Sequence, residues 1–477
     1  MRVRTLTTAV LTAAGCVVLA VPALAVSPQE APPVATPQDP GGEPWVAAWT
    51  AAPQAVYPLG YPVAQPGPPG EAAPGVEVPL LEYAFPDEQA QDQTLRMVVH
   101  PGIGGDEWRV RLSNRFGTQP VTFGRATAAL QQSGATVVPG TEQQLTFDGE
   151  SSVTVQPGEV VRSDAVPVEL SDAEAQRSNL AVSLHVEGAS GPMTWHAASF
   201  TTSYVTDPGA GDHTGDLTDE AFPHSTTSWF FLTGLEVQRA DAGTVVAFGD
   251  SITDGFFSSI NGNDRWPDVL QRRLLAEDAE DVVSVVNQGI AGNMVTRVGR
   301  LPGGCTPCDG TPAVDRLDED VLSQPGLRAV VLLEGINDLG GGGATAADVT
   351  AGMAELADRV HAAGIPVIGA TLTPSGGAEA NLANYGTAET DAQRRAVNDF
   401  IRTSGAFDAV VDFAAATEDP ADPSRLLPAY DTNSSVGGPG DHLHPNRAGF
   451  LAMGAAFDLA ELRALVASAA PQAVAAG

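Results

Sequence analysis

Short alternating runs of apolar and polar residues fill the first half of the chain. Typical runs are Leu95–Val99, Arg109–Leu112 and Leu180–Val186, and turn-forming clusters such as Pro101–Gly105 separate them. Many short strands at this spacing predict an all-β domain, an antiparallel β-sandwich or jelly roll, over residues 44–238.

A different pattern begins at Thr244, where continuous apolar runs alternate with segments of helical periodicity. The runs have the length of strands buried on both faces: residues 244–248, 282–286, 329–333, 366–371 and 409–413. Between them, apolar residues recur on single helix faces: Trp266, Val269, Leu270 and Leu274, then Met353, Leu356, Ala357 and Val360. This alternation predicts an α/β domain over residues 244–468, with a doubly wound parallel sheet in flavodoxin-like order.

The N-terminal residues carry the pattern of an export signal. Two arginines precede an apolar stretch from Leu6 to Val21, and Ala23-Leu24-Ala25 matches a small-residue cleavage site. Since this stretch is short for a membrane span, we expect residues 1–25 to be a signal peptide and the mature protein to be secreted. Residues 26–43 are rich in Pro, Gly and Ala, which predicts a flexible tether.

The charge and the cysteines narrow the possible partners. A formal net charge of −34 over 477 residues argues against nucleic acid and anionic membranes as partners, because both attract a basic face. It is typical of a solvated, secreted exterior and equally of salt adaptation. Cys305 and Cys308 would indicate a redox motif or half a zinc site in a cytosolic chain. In an exported chain we expect a local disulfide in the loop after Gly292.

Four polar blocks lie where the α/β pattern predicts strand ends or the start of the last helix. Gly249–Ile252 follows the first strand, Asn287–Asn293 the second and Gly335–Asp338 the third, and Asp441–Pro445 lies near the C-terminus. Because the carboxyl ends of parallel strands meet at one edge of a sheet, we expect these blocks to converge there.

The residues in these blocks fit a serine acyl-transfer site. A serine such as Ser251 needs a base to accept its proton, and the base needs a third group to orient it. Asp441 and His444 are three residues apart, so in a tight turn their side chains point the same way. Candidate donors to the oxyanion are the backbone N–H groups of Ser251 and Gly292 and the side-chain amide of Asn337. The chain has no G-x-S-x-G, which excludes an α/β-hydrolase nucleophile elbow.

In order and composition, the four blocks resemble the SGNH (GDSL-type) hydrolase family, named after a Ser, a Gly, an Asn and a His. The matching residues are Ser251, Gly292, Asn337 and His444, and the likeness covers residues 244–466. The resemblance favours Gly292 over Gly289 as an oxyanion donor. Two further segments, Trp45–Trp49 and Trp266-Pro267, are similar to those of a two-domain bacterial subgroup of arylesterase- and xylan-esterase-like acylhydrolases.

Several residues have alternative interpretations. With Asp441, the pair His442 and His444 would be metal ligands if a further ligand joined them. Asp338 is either a catalytic acid or an acceptor of local backbone N–H groups, and Asp250 and Asp254 are expected to cap the turn after the serine. The remaining histidines are expected to be structural or surface residues: His100, His185, His196, His213, His224 and His361. Five tryptophans of the first half are expected in its core, although exposed ones would stack on sugars: Trp45, Trp49, Trp108, Trp195 and Trp229.

These residues predict a secreted serine esterase that hydrolyses carboxylic esters through an acyl-enzyme, without metal or cofactor. The expected substrates are small-molecule esters with short acyl groups or acetyl esters of polysaccharides, the latter on the strength of the resemblance and of secretion. The alternatives are a lipase or polyester hydrolase of the same mechanism, and a polysaccharide-binding protein with a vestigial hydrolase domain.

Overall fold

The computed structural model of the protein describes residues 44–56, 84–277, 281–298, 309–380, 382, 384–434, 438 and 440–469. The predicted signal peptide, the predicted tether and the predicted disulfide between Cys305 and Cys308 lie outside these residues. Within them, no helix combines the length and the apolar character that crossing a membrane requires.

Strands dominate the described part of the chain up to residue 238. They are β1 Trp45–Thr50, β2 Gln54–Ala55, β3 Gln91–Val99, β4 Gly105–Ser113, β5 Val121–Ser133, β6 Thr136–Val137, β7 Gln143–Leu145, β8 Val153–Val155, β9 Val160–Arg162, β10 Val166–Leu170, β11 Leu180–Ala189, β12 Thr194–His196, β13 Ser203–Val205, β14 His224–Thr226, β15 Trp229–Phe230 and β16 Leu232–Gln238. One short helix, α1 (Asp172–Ala175), and one 3-10 turn, Pro86–Glu88, interrupt them.

Two antiparallel sheets of this half enclose one hydrophobic core. The first has the order β1-β16-β4-β10, with β9 also paired to β4. The second has the order β14-β13-β3-β11-β5-β6, with β7 and β8 also paired to β5. Val110 of β4, Leu95 of β3 and Leu184 of β11 belong to the same buried cluster. The half is thus antiparallel β structure as predicted, and the jelly-roll alternative stays a prediction.

The first strand lies between the two halves of the molecule. Val46 and Ala48 belong to the core of the first half, whereas Ala47, on the other face of β1, belongs to the core of the second. The Ser284 hydroxyl donates to the Ala47 carbonyl at 2.6 Å, and the Thr50 hydroxyl donates to the Asn287 carbonyl at 2.9 Å. Because strand side chains alternate between faces, a strand between two cores is apolar on both, as Trp45–Thr50 is.

The five tryptophans of the first half are buried in its core, as expected: Trp45, Trp49, Trp108, Trp195 and Trp229. Trp49 and Trp229 pack edge to face, with 4.7 Å between their ring centroids. The Arg109 guanidinium stacks over Trp45 at 4.0 Å from the ring centroid. These side chains therefore form no exposed surface for stacking on sugars.

The second half alternates strands and helices. Its strands are β17 Ala242–Gly249, β18 Val282–Gly289, β19 Leu327–Leu333, β20 Val367–Ala370 and β21 Ala409–Val411, followed by the hairpin β22 Glu418–Asp419 and β23 Asp422–Leu426. Its helices are α2 Ser251–Asp254, α3 Trp266–Leu275, α4 Ala313–Leu317, α5 Ile336–Gly340, α6 Ala346–Ala362, α7 Ala388–Thr403, α8 Phe413–Thr417, α9 Arg447–Ala455 and α10 Leu459–Ser468. A π-helical turn, Asp318–Leu322, extends α4, and a 3-10 turn spans Ala378–Ala380.

The main sheet of this half is parallel and has the order β18-β17-β19-β20-β21. This is the predicted flavodoxin-like order, in which the first strand of the sheet lies between the second and the third. Successive connections leave β17 in opposite directions, so the crevice that such sheets use for ligands lies at its carboxyl end. Gly249 ends β17 at that crevice.

The helix faces agree with the sequence pattern, and one strand end does not. α3 buries Trp266, Val269, Leu270 and Leu274, and α6 buries Met353, Leu356, Ala357 and Val360. The predicted fifth strand extends to residue 413, but β21 ends at Val411 and Phe413 begins α8. The reason is a helix cap, because the Asp412 side chain accepts the N–H of Ala415.

Candidate active site

Ser251 stands at the first position of a one-turn helix that follows β17. Asp250 caps this helix as predicted, since its Oδ1 accepts the N–H of Ile252 at 2.9 Å. Gly255 ends the turn in the left-handed region, at φ 96°. Only 4% of Ser251 is exposed. Its own N–H, the first of the helix, has no acceptor among the described residues.

The structure brings Ser251, His444 and Asp441 into one chain of hydrogen bonds. Ser251 Oγ lies 2.9 Å from His444 Nε2, although the two residues are 193 positions apart. His444 Nδ1 lies 2.5 Å from Asp441 Oδ2. The other oxygen of Asp441 accepts the backbone N–H groups of Leu443 and His444, at 3.0 and 2.9 Å. The turn from 441 to 444 therefore holds both the carboxylate and the imidazole in place.

The charge state of Asp441 suits this arrangement. Burial by itself would raise the pKa of the carboxyl, but the charge of His444 and the hydrogen bonds from the turn outweigh it, so the pKa lies below its ordinary value. Asp441 is thus an anion at neutral pH. An anion at Nδ1 keeps the proton on that nitrogen and leaves Nε2 as the acceptor toward Ser251.

The three predicted oxyanion donors, the N–H of Ser251, the N–H of Gly292 and the amide of Asn337, follow the carboxyl ends of β17, β18 and β19, which are neighbours in the sheet. Gly292 is in the left-handed region, at φ 80°, and its N–H has no acceptor among the described residues. Asn337 Nδ2 donates to the Asn293 carbonyl at 2.8 Å, which occupies one of its two hydrogens. Tyr385 donates its hydroxyl to Asn337 Oδ1 at 2.9 Å and so fixes which way the amide faces.

Gly289 has a different role from Gly292. Its N–H already donates to Asn287 Oδ1 at 2.8 Å. A Cβ at Gly289 would lie 2.2 Å from the backbone nitrogen of Asp254, so the glycine lets β18 pack against α2. Of the two glycines, Gly292 is the one with a free donor.

Aromatic side chains from both halves surround the histidine. The rings of Phe256 and Phe257 lie 4.8 and 5.6 Å from that of His444. Phe200, from the first half, packs edge to face on Phe256 at 5.6 Å. The sequence pattern does not indicate these three residues. Phe256 and Phe257 follow the serine block without belonging to it, and Phe200 lies in the strand-rich first half of the chain.

The other candidate residues of the motifs have structural partners. Asp338 accepts the N–H groups of Val295 and Thr296, each at 2.9 Å. These bonds fit the interpretation of Asp338 as an acceptor of backbone N–H groups that shapes the loop. Burial raises the pKa of Asp338, in opposition to these hydrogen bonds. His442 Nδ1 lies 2.5 Å from Asp431 Oδ2 rather than beside His444. Both ring nitrogens of His444 are engaged, by Ser251 and Asp441, and His442 is turned toward Asp431, so the two histidines do not act as a pair.

One further expectation needs correction. Asp254 does not cap the turn after the serine; it ends α2, and its two oxygens contact His196 and the N–H of Ala291. The other histidines are structural or surface residues as expected, and five of the six contact a carboxylate: His185 with Asp92, His196 with Asp254, His213 with Asp216, His224 with Asp207 and His361 with Asp408. His196 alone among these five is buried together with its partner.

A buried arginine underlies the site. Arg316 donates to the carbonyls of Gly249 and Gln288, at 3.0 and 2.8 Å, and so links the ends of β17 and β18. It also donates to Asn293 Oδ1 at 2.9 Å and pairs with Glu334 at 3.3 Å. The sequence analysis missed it, since an arginine on a predicted helix has no distinguishing spacing.

Two carboxyls without full partners lie beside this arginine. Asp250 Oδ2 and Glu334 Oε2 are buried, with no hydrogen-bond partner among the described residues. Burial raises the pKa of Asp250 to about 7. Burial, with the charge of Asp250 beside it, raises the pKa of Glu334 well above its ordinary range.

A model of the GDSL-like lipase/acylhydrolase family matches residues 247–452. No curated protein matches the chain. In solved structures the chain is similar to the native M. smegmatis aryl esterase, with 19% identity, 47% of this chain and 99% of that chain covered, and a TM-score of 0.35.

Two other solved structures show similarity of the same order. One is a carbohydrate acetylesterase family member from Sinorhizobium meliloti, with 18% identity, 47% of this chain and 99% of that chain covered, and a TM-score of 0.34. The other is a GDSL-like lipase from Bacteroides thetaiotaomicron, with 19% identity, 46% and 88% coverage and a TM-score of 0.34. The family model carries the assignment: residues 247–452 belong to the GDSL-like lipase/acylhydrolase family, and the protein is a carboxylic ester hydrolase.

Proposed function

We propose that the protein is a secreted serine esterase that acts on esters with short acyl groups, including acetyl esters of polysaccharides. The observation that carries the mechanism is the continuous contact from Ser251 Oγ through His444 to Asp441, at 2.9 and 2.5 Å. The short-acyl preference and the export of the protein rest on separate observations, given below.

In the first half of the proposed reaction, Ser251 Oγ attacks the ester carbonyl and His444 Nε2 takes the hydroxyl proton. Asp441 stabilises the imidazolium that forms. The oxyanion receives hydrogen bonds from Ser251 N–H, Gly292 N–H and Asn337 Nδ2, and each such donor is worth about 3–4 kcal/mol in the transition state. His444 then returns its proton to the departing alcohol, and an acyl-enzyme remains.

In the second half, water replaces the alcohol. His444 Nε2 takes a proton from the water as its oxygen attacks the acyl carbonyl. The second tetrahedral intermediate uses the same three donors. Its collapse releases the carboxylic acid and returns the proton from His444 to Ser251 Oγ.

The surroundings of the nucleophile support a small acyl group. Ser251 and His444 are 4% and 7% exposed, so little of either reaches the surface. Phe256 and Phe257 pack against the imidazole and present apolar surface beside it. Such a site accommodates an acetyl or similarly short group more readily than a long chain.

Substrate profiling tests the acyl preference. The p-nitrophenyl esters of acetate, butyrate, octanoate and laurate should give kcat/KM values that fall with acyl length, and acetylated xylan should release acetate. A maximum at laurate would indicate a lipase instead. Activity on an insoluble polyester exceeding that on acetate would indicate a polyester hydrolase.

Substitution of the nucleophile tests the mechanism. Ser251→Ala should lower kcat by about 10⁴-fold or more, because the hydroxyl that forms the acyl-enzyme is then missing. A fluorophosphonate probe should label the wild type at Ser251 and leave the variant unlabelled. Ser258→Ala, a nearby buried serine, is the matched control and should keep full activity. Labelling or turnover that survives in Ser251→Ala would refute the assignment.

Export is supported by the charged start, apolar stretch and A-x-A site of residues 1–25. The mature N-terminus gives the test. Expressed with this segment in a secreting bacterial host, the protein should collect in the medium and begin at Val26. Intact Met1 on protein retained in the cells would contradict export.

A further inference from the structure

A buried histidine from the first half of the molecule contacts the turn that carries the nucleophile. His196 ends β12, is 4% exposed and places Nε2 2.9 Å from Asp254 Oδ1. Its Nδ1 lies 2.9 Å from the carbonyl oxygen of Ala52. Trp229, its partner in the neighbouring strand, packs against the ring with 5.5 Å between the centroids. The imidazole is therefore fixed on three sides.

The protonation of this histidine follows from its neighbours. A backbone carbonyl can only accept a hydrogen bond, and so can a carboxylate. With Ala52 O at one nitrogen and Asp254 Oδ1 at the other, both nitrogens carry a proton and the ring is a cation. Burial opposes this charge, but Asp254 outweighs burial, and the pKa of His196 lies above its ordinary value.

The carboxylate that His196 contacts also holds the loop of the oxyanion donors. Asp254 is 2% exposed, and its Oδ2 accepts the N–H of Ala291 at 3.1 Å. Ala291 directly precedes Gly292, whose N–H is one of the three proposed donors. A continuous path of hydrogen bonds thus runs from the first half, through His196 and Asp254, to the backbone of this loop.

We propose that His196 is a positioning residue for the oxyanion donor Gly292 and acts through Asp254 and the N–H of Ala291. This inference rests on the proposed function. Without the imidazolium, Asp254 would keep no cation in hydrogen-bond contact among the described residues, because its other cationic neighbour, Arg265, is bonded to Asp268 at 2.7 Å. A buried carboxylate in that position is costly enough to make it protonate or turn away. Either change loosens the Ala291 N–H, and the Gly292 N–H then loses its aim at the oxyanion.

A positioning role predicts a specific kinetic pattern. Because the donor interacts with the oxyanion and not with the ground-state ester, His196→Ala should lower kcat and change KM little. We expect a fall of about 10- to 100-fold, below the loss for complete removal of an oxyanion donor. Binding of a trifluoromethyl ketone analogue, which forms the same oxyanion on Ser251, should weaken in proportion.

Two further variants separate positioning from general damage. His196→Gln keeps an N–H within reach of Asp254 and should recover most of the lost kcat. Ser284→Ala removes another buried hydrogen bond between the halves, the one from Ser284 to the Ala47 carbonyl, away from the donor loop. It should lower the melting temperature and leave kcat and analogue binding unchanged.

The outcomes are distinguishable from failure of the proposed function. If Ser251→Ala is inactive and His196→Ala keeps wild-type kcat and analogue affinity, the inference is wrong and the function stands. If Ser251→Ala stays active, both are wrong. Should His196→Ala not fold, the pair His196→Leu with Asp254→Leu removes the buried charges together with the acceptor of the Ala291 N–H; kcat should still fall at constant KM, and an unchanged kcat overturns the proposal.

Discussion

At the scale of single residues, Tyr385 and the two buried carboxyls have consequences that can be measured apart from the triad. Tyr385 holds the Asn337 amide by one hydrogen bond of 2.9 Å. Asp250 and Glu334 lie fully buried below the serine, each with one oxygen that has no partner among the described residues. Tyr385 therefore affects the stabilisation of the transition state, and the two carboxyls affect how the stability of the folded protein depends on pH.

We expect Tyr385→Phe to lower kcat by about 2- to 10-fold with KM nearly unchanged, since one hydrogen bond contributes about 0.5–1.5 kcal/mol. The loss follows because only the hydrogen bond to the Asn293 carbonyl then orients the Asn337 amide among the contacts described for it, so its Nδ2 is held less firmly toward the oxyanion. Steady-state kinetics on p-nitrophenyl acetate measure it. Tyr204→Phe, on β13 in the first half, is the control and should behave as wild type. A rise in KM at constant kcat would indicate substrate binding instead.

We expect Asp250→Asn to become more stabilising as the pH rises. The pKa of Asp250 is about 7 in the folded protein and about 3.9 in an unfolded chain. Between these values the folded state binds more protons than the unfolded state, so the wild type loses stability as pH increases. Asparagine cannot ionise and can still accept the N–H of Ile252. The melting-temperature difference between variant and wild type should therefore grow from pH 4 to pH 8.

Asp348→Asn gives a control of opposite sign. Hydrogen bonds from Thr345 hold the pKa of the exposed Asp348 below its ordinary value. The stability it contributes is present above the unfolded pKa and disappears as pH falls through the folded one, so this variant should be the less stable one at pH 8 only. A pH-independent difference for Asp250→Asn would show that its carboxyl is not protonated in the folded protein.

At the scale of elements, Arg316 on α4 links the carboxyl ends of two neighbouring strands. Its side chain is fully buried, stacks over Phe248 at 4.1 Å and donates to Gly249, Gln288 and Asn293. Those strand ends carry Ser251 and the donor loop. The spacing between nucleophile and oxyanion donors therefore depends on a side chain that touches neither.

We expect Arg316→Met to lower the free energy of unfolding by about 3–5 kcal/mol, because two backbone carbonyls, the Asn293 amide oxygen and the carboxyls of Asp320 and Glu334 lose a buried charged donor. Arg316→Lys should recover only part, since an ammonium cannot span the same set of acceptors. Urea denaturation followed by fluorescence measures both. Arg297→Met removes an exposed ion pair with Asp315 and should change stability by less than about 1 kcal/mol. Equal effects at 297 and 316 would contradict this account.

At the scale of the whole molecule, the two halves interlock in more than one place. β1 contributes to both cores, and Gly326 leaves only 2.5 Å between a would-be Cβ and Val46 Cγ1. On the active-site side, the N–H of Asn261 donates to the Phe200 carbonyl at 2.8 Å, and Asn261 Oδ1 accepts from the N–H of Thr202 at 2.7 Å. Such contacts are those of a packed interior and not of a tethered module.

We therefore expect neither half to be stable alone. Residues 244–477 without the first half should be poorly soluble and inactive, because Ala47, His196 and their partners would leave apolar and charged surface uncovered. Coexpression with residues 26–243 should restore soluble protein and activity. Solubility, circular dichroism and esterase assays measure this. Two independently folded halves, with the first retained on xylan, would instead identify a binding module.

The sequence by itself determined the second half more completely than the first. Continuous apolar runs and one-sided helix faces depend on residues close in the chain, so the parallel sheet and the places of Ser251, Asn337 and His444 at its edge were predictable. The turn from Asp441 to His444 was predictable for the same reason, because three residues are enough to bring the two side chains together.

The tertiary structure alone decided which distant side chains meet. Asp254 pairs with His196, 58 positions away in a different pattern, and Tyr385 reaches Asn337 over 48 positions. Local periodicity carries no information about such pairs, since either residue alone resembles an ordinary buried side chain. The family resemblance favoured Gly292 over Gly289, and the fold adds a physical reason, because the Gly289 N–H is already bonded to Asn287. Local pattern thus determined where the catalytic residues stand, and long-range packing decided what holds them there.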